Sequence, residues 1–355
     1  MRPLSANAQH VLAARYLRRD AAGRLLEDFE GLCARVAGAV AEAEAAFGGR
    51  PEVVAPRFEA LLRERVFLPN SPTLMNAGTP GGQLAACFVL PIGDNLEAIF
   101  EAAKRMAVIH QSGGGTGFSF SRIRPAGDLV QGSPGVASGP LSFLDVFDTA
   151  TGVIRQGGRR RGANMGVLRV DHPDVLEFVR IKSEPDRITN FNLSVGVSDA
   201  FLEAATLGRA FDLVNPRDGK AARSLNAAEL LDEIARCAWA GGDPGVLFLD
   251  AIARDNPTPE AGVLEATNPC GELPLLANES CNLGSLRLDA FVAGGQLDWA
   301  RLDAAVDAAV RFLDDVIEAG RYPYPEIAAA TRANRKIGLG VMGFADLLVD
   351  LGVPY

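Results

Sequence analysis

Cysteine is scarce in this chain: five occur in 355 residues, Cys33, Cys87, Cys237, Cys270 and Cys281. The number is odd and the spacing is not that of zinc ligands, so no metal site is expected. No secretory leader opens the chain, and a reducing cytoplasm is the expected compartment. No run of about 18 apolar residues occurs, which argues against a membrane span. Basic residues are outnumbered, 35 against 44 acids, for a net charge of −9 and a pI near 5.0. A general DNA binder would need a basic stripe, although a local arginine cluster can still hold a phosphate in an acidic protein. There is no internal repeat and no low-complexity tail.

Hydrophobic residues make up 48% of the chain, enough for a substantial core in one large domain or two ordinary ones. Residues 1 to about 66 read as helical. Ser5 can cap a first helix, and Phe29, Leu32, Val36, Val40 and Ala43 recur at helical spacing, as do Phe58, Leu61, Leu62 and Val66. Cys33 falls on such an apolar face and reads as packing. Residues 68–83, rich in Pro, Gly, Asn and Thr, read as a loop leading into a strand around Cys87. Helices are expected at about 96–110, 141–154, 174–181, 199–206 and 227–240. Strands are expected at 118–123, 167–170, 191–197 and 245–249. Leu302, Ala305, Val306, Ala309, Val310, Leu313 and Ile317 mark a long amphipathic helix. Cys237 sits on an apolar helical face and reads as inert.

The most informative stretch is Asn268-Pro269-Cys270-Gly271-Glu272. Proline fixes φ and removes a donor, and glycine permits backbone geometries other residues avoid. The five residues read as a tight loop with Cys270 at its tip, and Asn268 and Glu272 both able to face whatever lies over the sulfur. Cys281 follows 11 positions later within Ser280-Cys281-Asn282-Leu283-Gly284-Ser285, and Cys87 lies far upstream in the apolar run Leu84–Leu90. A second stretch, Ser112-Gly113-Gly114-Gly115-Thr116-Gly117, resembles a phosphate cradle but is not a Walker A loop, because no Gly-Lys-Ser/Thr follows. Its glycines read as positions where backbone comes close to a ligand.

These motifs together resemble the catalytic subunit of ribonucleotide reductases, most closely the adenosylcobalamin-dependent (class II) branch. The resemblance also rests on Leu68-Pro69-Asn70-Ser71-Pro72-Thr73-Leu74-Met75-Asn76-Ala77-Gly78, Thr189-Asn190-Phe191-Asn192 and Lys336-Ile337-Gly338-Leu339-Gly340-Val341-Met342-Gly343. It implies an α/β fold, the first part of a ten-stranded α/β barrel preceded by a small helical module. Residues 1–66 would be the module, and 67–355 an incomplete barrel with a catalytic finger loop at about 264–285.

The implied chemistry is reduction of ribonucleotides to 2′-deoxyribonucleotides. Cys270 would become a thiyl radical and take the 3′ hydrogen, Glu272 would act as general base, and Asn268 would hold the sugar hydroxyls. Cys87 and Cys281 would supply two electrons and become a disulfide, re-reduced by a thioredoxin-type partner. That requires their Cα atoms to come within roughly 7 Å. Thr73, Ala86, Gly115 and Asn268 would meet the substrate. Asp94, Asn95 and Arg124 would bind a deoxynucleotide (dNTP) effector. Three of these have a plainer alternative: Thr73 as a turn hydroxyl, Asp94 as a helix N-cap, Arg124 as a surface arginine.

Residues 126–140 match the family's first specificity loop and Lys182–Arg187 the second. Arg159-Arg160-Arg161 fits either a solvated face or a phosphate or subunit contact. The implied partners are a ribonucleotide, a dNTP, a second copy in a homodimer and a polypeptide supplying the C-terminal half; the implied cofactor is adenosylcobalamin. The family's ATP cone is not apparent. Two rivals stand beside this reading: a class I large subunit served by a radical-generating small subunit, and a non-catalytic nucleotide-binding or dimerisation remnant.

Overall fold

The computed structural model describes residues 3–130, 135–156, 160–184 and 186–355. It divides into two compact units, Met1–Ala86 with Ser280–Tyr355, and Cys87–Glu279.

In the first unit Ser5 caps the helix Ala6–Val11, its hydroxyl accepting from the Ala8 amide at 3.2 Å. Asp28 caps Phe29–Ala41 in the same way through the Gly31 amide. The helical spacing read from the sequence becomes a packed face: Leu32, Val36, Val40, Phe58 and Leu62 are buried with Phe312, Leu313 and Val316 of the long helix Trp299–Ala319. The Phe312 ring meets Phe58 and Phe67 edge-on at 5.1 and 5.3 Å, an arrangement favoured by the ring quadrupoles. Cys33 is fully buried in this core, and burial pushes its thiol up to about 12, as packing alone requires.

Part of the 68–83 stretch is not loop. Ser71–Asn76 is a short helix whose N-cap Asn70 accepts from the Thr73 amide at 2.9 Å. Pro72 falls in its first turn, where a missing N–H costs nothing. The strand Ser280–Arg287 carries Cys281. It pairs antiparallel with Phe67–Pro69 and parallel with Ile337–Met342.

The second unit is built on five parallel strands in chain order: Cys87–Val89, Gly115–Ser119, Asn164–Arg169, Phe191–Val197 and Gly245–Phe248. Helices Leu96–Gln111, Gly139–Val153 and Val175–Arg180 lie among the connections. The first four strands are buried along nearly their whole length, as a covered parallel sheet is. Two expectations shift. The strand expected at 118–123 runs from Gly115 to Ser119, for a reason visible at the site below. The antiparallel hairpin Ala210–Val214/Ala221–Asn226 was not anticipated; its second strand is almost wholly exposed and carries no burial alternation.

Candidate functional site

The site is built in the second unit around the turn that follows Ala266–Thr267. That two-residue strand pairs antiparallel with Pro274–Leu275, which closes the intervening residues into a hairpin loop. Asn268 organises it. Its amide donates to the Leu273 carbonyl at 3.1 Å, its Oδ1 accepts from the Leu273 amide at 3.1 Å, and its carbonyl accepts from Gly271 at 3.1 Å. Gly271 has φ of 86°, the left-handed region where glycine is at home. Cys270 is exposed at the tip, and it alone of the five cysteines is exposed.

The two residues expected to be able to face whatever lies over the sulfur are placed differently. Glu272 is exposed, but Asn268 is fully buried beneath the loop. With its Oδ1 taken by Leu273, its Nδ2 donates to Cys87 Sγ at 3.4 Å. A buried amide must spend its groups on partners, and here the partners are the loop itself and the first strand.

The loop lies against the second strand, which explains the glycines. A Cβ on Gly115 would stand 2.6 Å from the Pro269 ring, and one on Gly117 would stand 1.8 Å from the Thr267 carbonyl oxygen. The close neighbour of this Gly-rich stretch is therefore the chain's own loop, where a ligand was expected. The strand is bare at Gly115 and Gly117 because the loop occupies the space their side chains would take. Asn192 completes the support, its Nδ2 donating to the Pro269 carbonyl at 2.7 Å.

Behind the same strand runs a buried polar chain that the sequence reading missed. Thr116 Oγ1 lies 3.1 Å from His110 Nε2 and donates to Asn164 Oδ1 at 2.5 Å; Asn164 Nδ2 donates to Thr151 Oγ1 at 2.9 Å. Burial pushes His110 down to about 4, while the Ala163 backbone and the Asn164 amide pull the other way. The only sequence signal was polar residues within otherwise apolar elements.

A cavity of about 460 Å³ opens beside Asp94, Asn95, Arg124, Ser138, Gly139 and Phe143. Asn95, not Asp94, caps the 96–111 helix, accepting from the Ala98 amide at 2.8 Å. Asp94 is instead taken by Arg124, whose backbone amide and Nε reach its two carboxylate oxygens at 3.0 and 2.8 Å. Two of the three expected effector residues, Asp94 and Arg124, are thus paired with each other at the cavity wall.

In the first unit, Thr73 is buried and its hydroxyl donates to the Leu84 carbonyl at 3.0 Å. Ala86 donates its amide to the Cys281 carbonyl at 3.0 Å. Cys281 is fully buried. Its strand is held by Thr331, whose hydroxyl takes the Ser280 amide at 3.2 Å, and by Asn282, which donates to the Leu313 carbonyl at 3.1 Å. Cys237 is buried, within 4.0 Å of the Ser183 hydroxyl, consistent with packing. Arg159 and the side chains of Arg160 and Arg161 lie outside the described residues, as do residues 131–134 of the 126–140 segment and Pro185 of the 182–187 connector. Among the described residues no cluster of side chains has the make-up of a metal site, and no helix is long and apolar enough to cross a membrane.

Comparison with known proteins places these observations. Residues 85–355 match the family model described as ribonucleotide reductase, barrel domain, and residues 2–82 match ribonucleotide reductase, all-alpha domain. The chain is 55% identical over 354 residues to the vitamin B12-dependent ribonucleoside-diphosphate reductase of Mycobacterium tuberculosis, covering 99% of this chain and 51% of the relative. The enzyme of the same name from Thermoplasma acidophilum is 55% identical over 301 residues, 84% of this chain and 39% of that one. The ribonucleoside-diphosphate reductase large subunit of vaccinia virus is 29% identical over 327 residues. The chain spans about half the length, or less, of these relatives.

Proposed function

This chain belongs to the ribonucleotide reductase large-subunit family, with the mixed α/β barrel domain preceded by the all-alpha domain, and from that premise we propose that it performs the thiyl-radical half of ribonucleotide reduction. The substrate we assign is a ribonucleoside diphosphate, following the names of the relatives at 55% identity. Those names also favour a vitamin B12 cofactor over a radical-generating small subunit, since the vaccinia large subunit stands at 29%.

One observation carries the reading: an exposed thiol, Cys270, sits on a loop whose buried base, Asn268, reaches Cys87. The chemistry needs that combination. One sulfur must be reachable by a radical source, and a second must lie beneath it for the sugar to span. Adenosylcobalamin, when bound, supplies the initiating radical. The donor set fits at one point, because the thiol to be oxidised is the exposed one; no residue of this chain is assigned to holding the cofactor.

Cys270 then takes the 3′ hydrogen of the ribose. Glu272, exposed two residues on, takes the 3′-hydroxyl proton as general base. The 2′-hydroxyl leaves as water after protonation by one thiol of the Cys87–Cys281 dithiol. Two electrons and the remaining thiol proton pass from the dithiol to C2′ and a disulfide forms; Glu272 returns the hydroxyl proton, and Cys270 returns the hydrogen to C3′ and is again a thiyl. Thiol exchange with a thioredoxin-type reductant restores the pair.

A dNTP in the 460 Å³ cavity is the effector in this reading. Its phosphates would compete with Asp94 for the Arg124 fork, freeing Asp94 for a sugar hydroxyl. Leu96 and Phe100 of the 96–111 helix and Val146 and Val153 of the 139–153 helix are exposed, Val153 at 77%. A patch of this kind suits a second copy of the chain.

Full activity belongs to the complete architecture of the relatives, so the test is complementation. The chain is mixed with the C-terminal half of the mycobacterial relative, adenosylcobalamin, cytidine diphosphate and a dithiol. Deoxycytidine diphosphate should form with the wild-type chain and disappear with Cys270→Ala. The chain alone should form none. Product from the chain alone, or undiminished product from Cys270→Ala, would overturn the reading.

A further inference from the structure

Proline leaves the backbone one soft dihedral where other residues have two, because its ring fixes φ. At Pro269 the remaining angle, ψ, decides where the next peptide plane points. That plane is rigid. It carries the Pro269 carbonyl oxygen on one side and leads to the Cys270 Cα on the other. Whatever holds the oxygen therefore aims the cysteine.

Asn192 holds it. Its Nδ2 donates to the Pro269 carbonyl at 2.7 Å. The strand register sets Asn192 beside Met165, and Met165 beside Gly117. This row lies on the face of the sheet that carries the loop, because Gly117 is pressed against the Thr267 carbonyl. Met165 Cε stands 3.6 Å from where a Gly271 Cβ would be, and the Pro269 ring rests on Gly115. The loop is thus seated across the second, third and fourth strands. Glycine and methionine limit how close it can come. The Asn192 bond adds a direction.

Asn192 also stands out within its own strand. Of the seven residues Phe191–Val197 it alone is exposed, on the same open side as Cys270. Asn268 shapes the turn from within, its side chain bonded to Leu273 and Cys87. Asn192 grips the turn from outside, one residue before the sulfur.

We propose that Asn192 is a positioning residue for hydrogen transfer: by fixing ψ of Pro269 it sets the direction from which the Cys270 sulfur meets the ribose 3′ carbon. The proposal rests on the thiyl reading of Cys270, in which a C3′–H bond breaks and an S–H bond forms. Without the Asn192 bond, the plane between Pro269 and Cys270 turns about the Pro269 Cα–C bond. Asn268, Gly271 and Leu273 still close the hairpin. The loop survives and the aim is lost. Ribonucleotide binding is made by other groups, so the loss falls on kcat and not on KM.

Three substitutions test this. Asn192→Gln keeps a donor on a side chain one methylene longer. Asn192→Leu removes the donor at similar volume. Asn192→Asp sets a carboxylate against the carbonyl oxygen. The first readout is hydrogen exchange on the 355-residue chain alone. Asn192→Leu and Asn192→Asp should speed exchange in 268–273 by about two- to tenfold, the factor one net hydrogen bond carries. The 96–111 helix of the same unit should be unchanged. The second readout is the complementation reaction with cytidine diphosphate. There kcat should fall least for Asn192→Gln, more for Asn192→Leu and most for Asn192→Asp. The largest fall should approach about 100-fold, the cost of misplacing a reacting atom by about 1 Å. KM should stay within about twofold of wild type. Equal kcat in wild type and Asn192→Asp, a loss confined to KM, or unaltered exchange in 268–273 would overturn the proposal. Should Asn192→Asp unfold, seen as faster exchange in 96–111, equal kcat for Asn192→Gln and Asn192→Leu would overturn it instead. If the wild-type chain forms no product, the thiyl reading fails and the proposal with it.

Discussion

The two units fill their interiors differently. In the first, the core is aliphatic and aromatic, and the helices Phe29–Ala41, Pro51–Arg63 and Trp299–Ala319 meet through Leu32, Val36, Phe58 and Phe312. Its buried acids, Glu44 and Asp315, share the cation Arg311. In the second, polar groups run through the sheet itself: His110, Thr116, Asn164 and Thr151 bond in series behind the strand that supports the Cys270 loop. Apolar packing tolerates volume-conserving change. A buried hydrogen-bonded chain does not, because each member broken strands another. The first interior supplies stability; the second backs the strand against which the Cys270 loop lies.

The sharpest way to break that contrast is to give a glycine a methyl group. A Cβ on Gly117 would stand 1.8 Å from the Thr267 carbonyl oxygen, a backbone atom that no rotamer change can move aside. Gly117→Ala should cost about 3 kcal/mol, the upper end of overpacking penalties. It should also raise hydrogen exchange across 266–275 while leaving 29–41 unchanged. A wild-type urea midpoint for this variant would mean that the loop has room to spare and positions nothing.

That close approach also explains what the sequence withheld. The Cys270 turn was legible because Pro269 and Gly271 state their geometry locally, and the helices of the first unit were legible from their spacing. Gly115–Ser119 was not legible as a strand, because its pairing is set by neighbours while two of its five positions are glycines pressed against Pro269 and Thr267. The short helix at Ser71 was hidden by a Pro-rich composition, although Asn70 and Pro72 are good opening residues. Asp94 was the expected cap, but Arg124, 30 positions away, takes the aspartate and Asn95 caps the helix instead. The Asn192–Pro269 bond spans 77 positions and leaves no local trace.

Titration gives a second test of the contrast, with opposite signs in the two units. Burial and the Glu44 charge push Asp315 up to about 7 from 3.8, while Arg311 pulls it down. Between those values the native state holds a proton that the unfolded chain has released, so this contribution to stability is lost as pH rises from about 4 to about 7. His110 behaves in reverse. The unfolded imidazole takes a proton near 6.5 and the buried one only near 4, so stability is lost as pH falls through that window. Relative to wild type, Asp315→Asn should gain stability at pH 7.5 and little at pH 5. His110→Gln should show its relative gain on the acid side, whatever its constant offset. Urea midpoints at the two pH values decide it, and offsets that do not change with pH would contradict both assignments.

The smallest effect should come from the first unit's counterpart to Gly117. Gly38 lies inside the helix Phe29–Ala41, and a Cβ there would meet nothing within 4 Å. No close approach demands it, so it contributes only the backbone freedom that a helix must remove. Gly38→Ala should therefore stabilise the chain by about 0.5–1 kcal/mol, seen as a higher urea midpoint with an unchanged slope. The same chemical change, one methyl group, would then carry opposite signs in the two units. If Gly38→Ala destabilised the chain instead, the first unit's helices would be packed as tightly as the loop support. The division between an interior that stabilises and one that positions would then lose its basis.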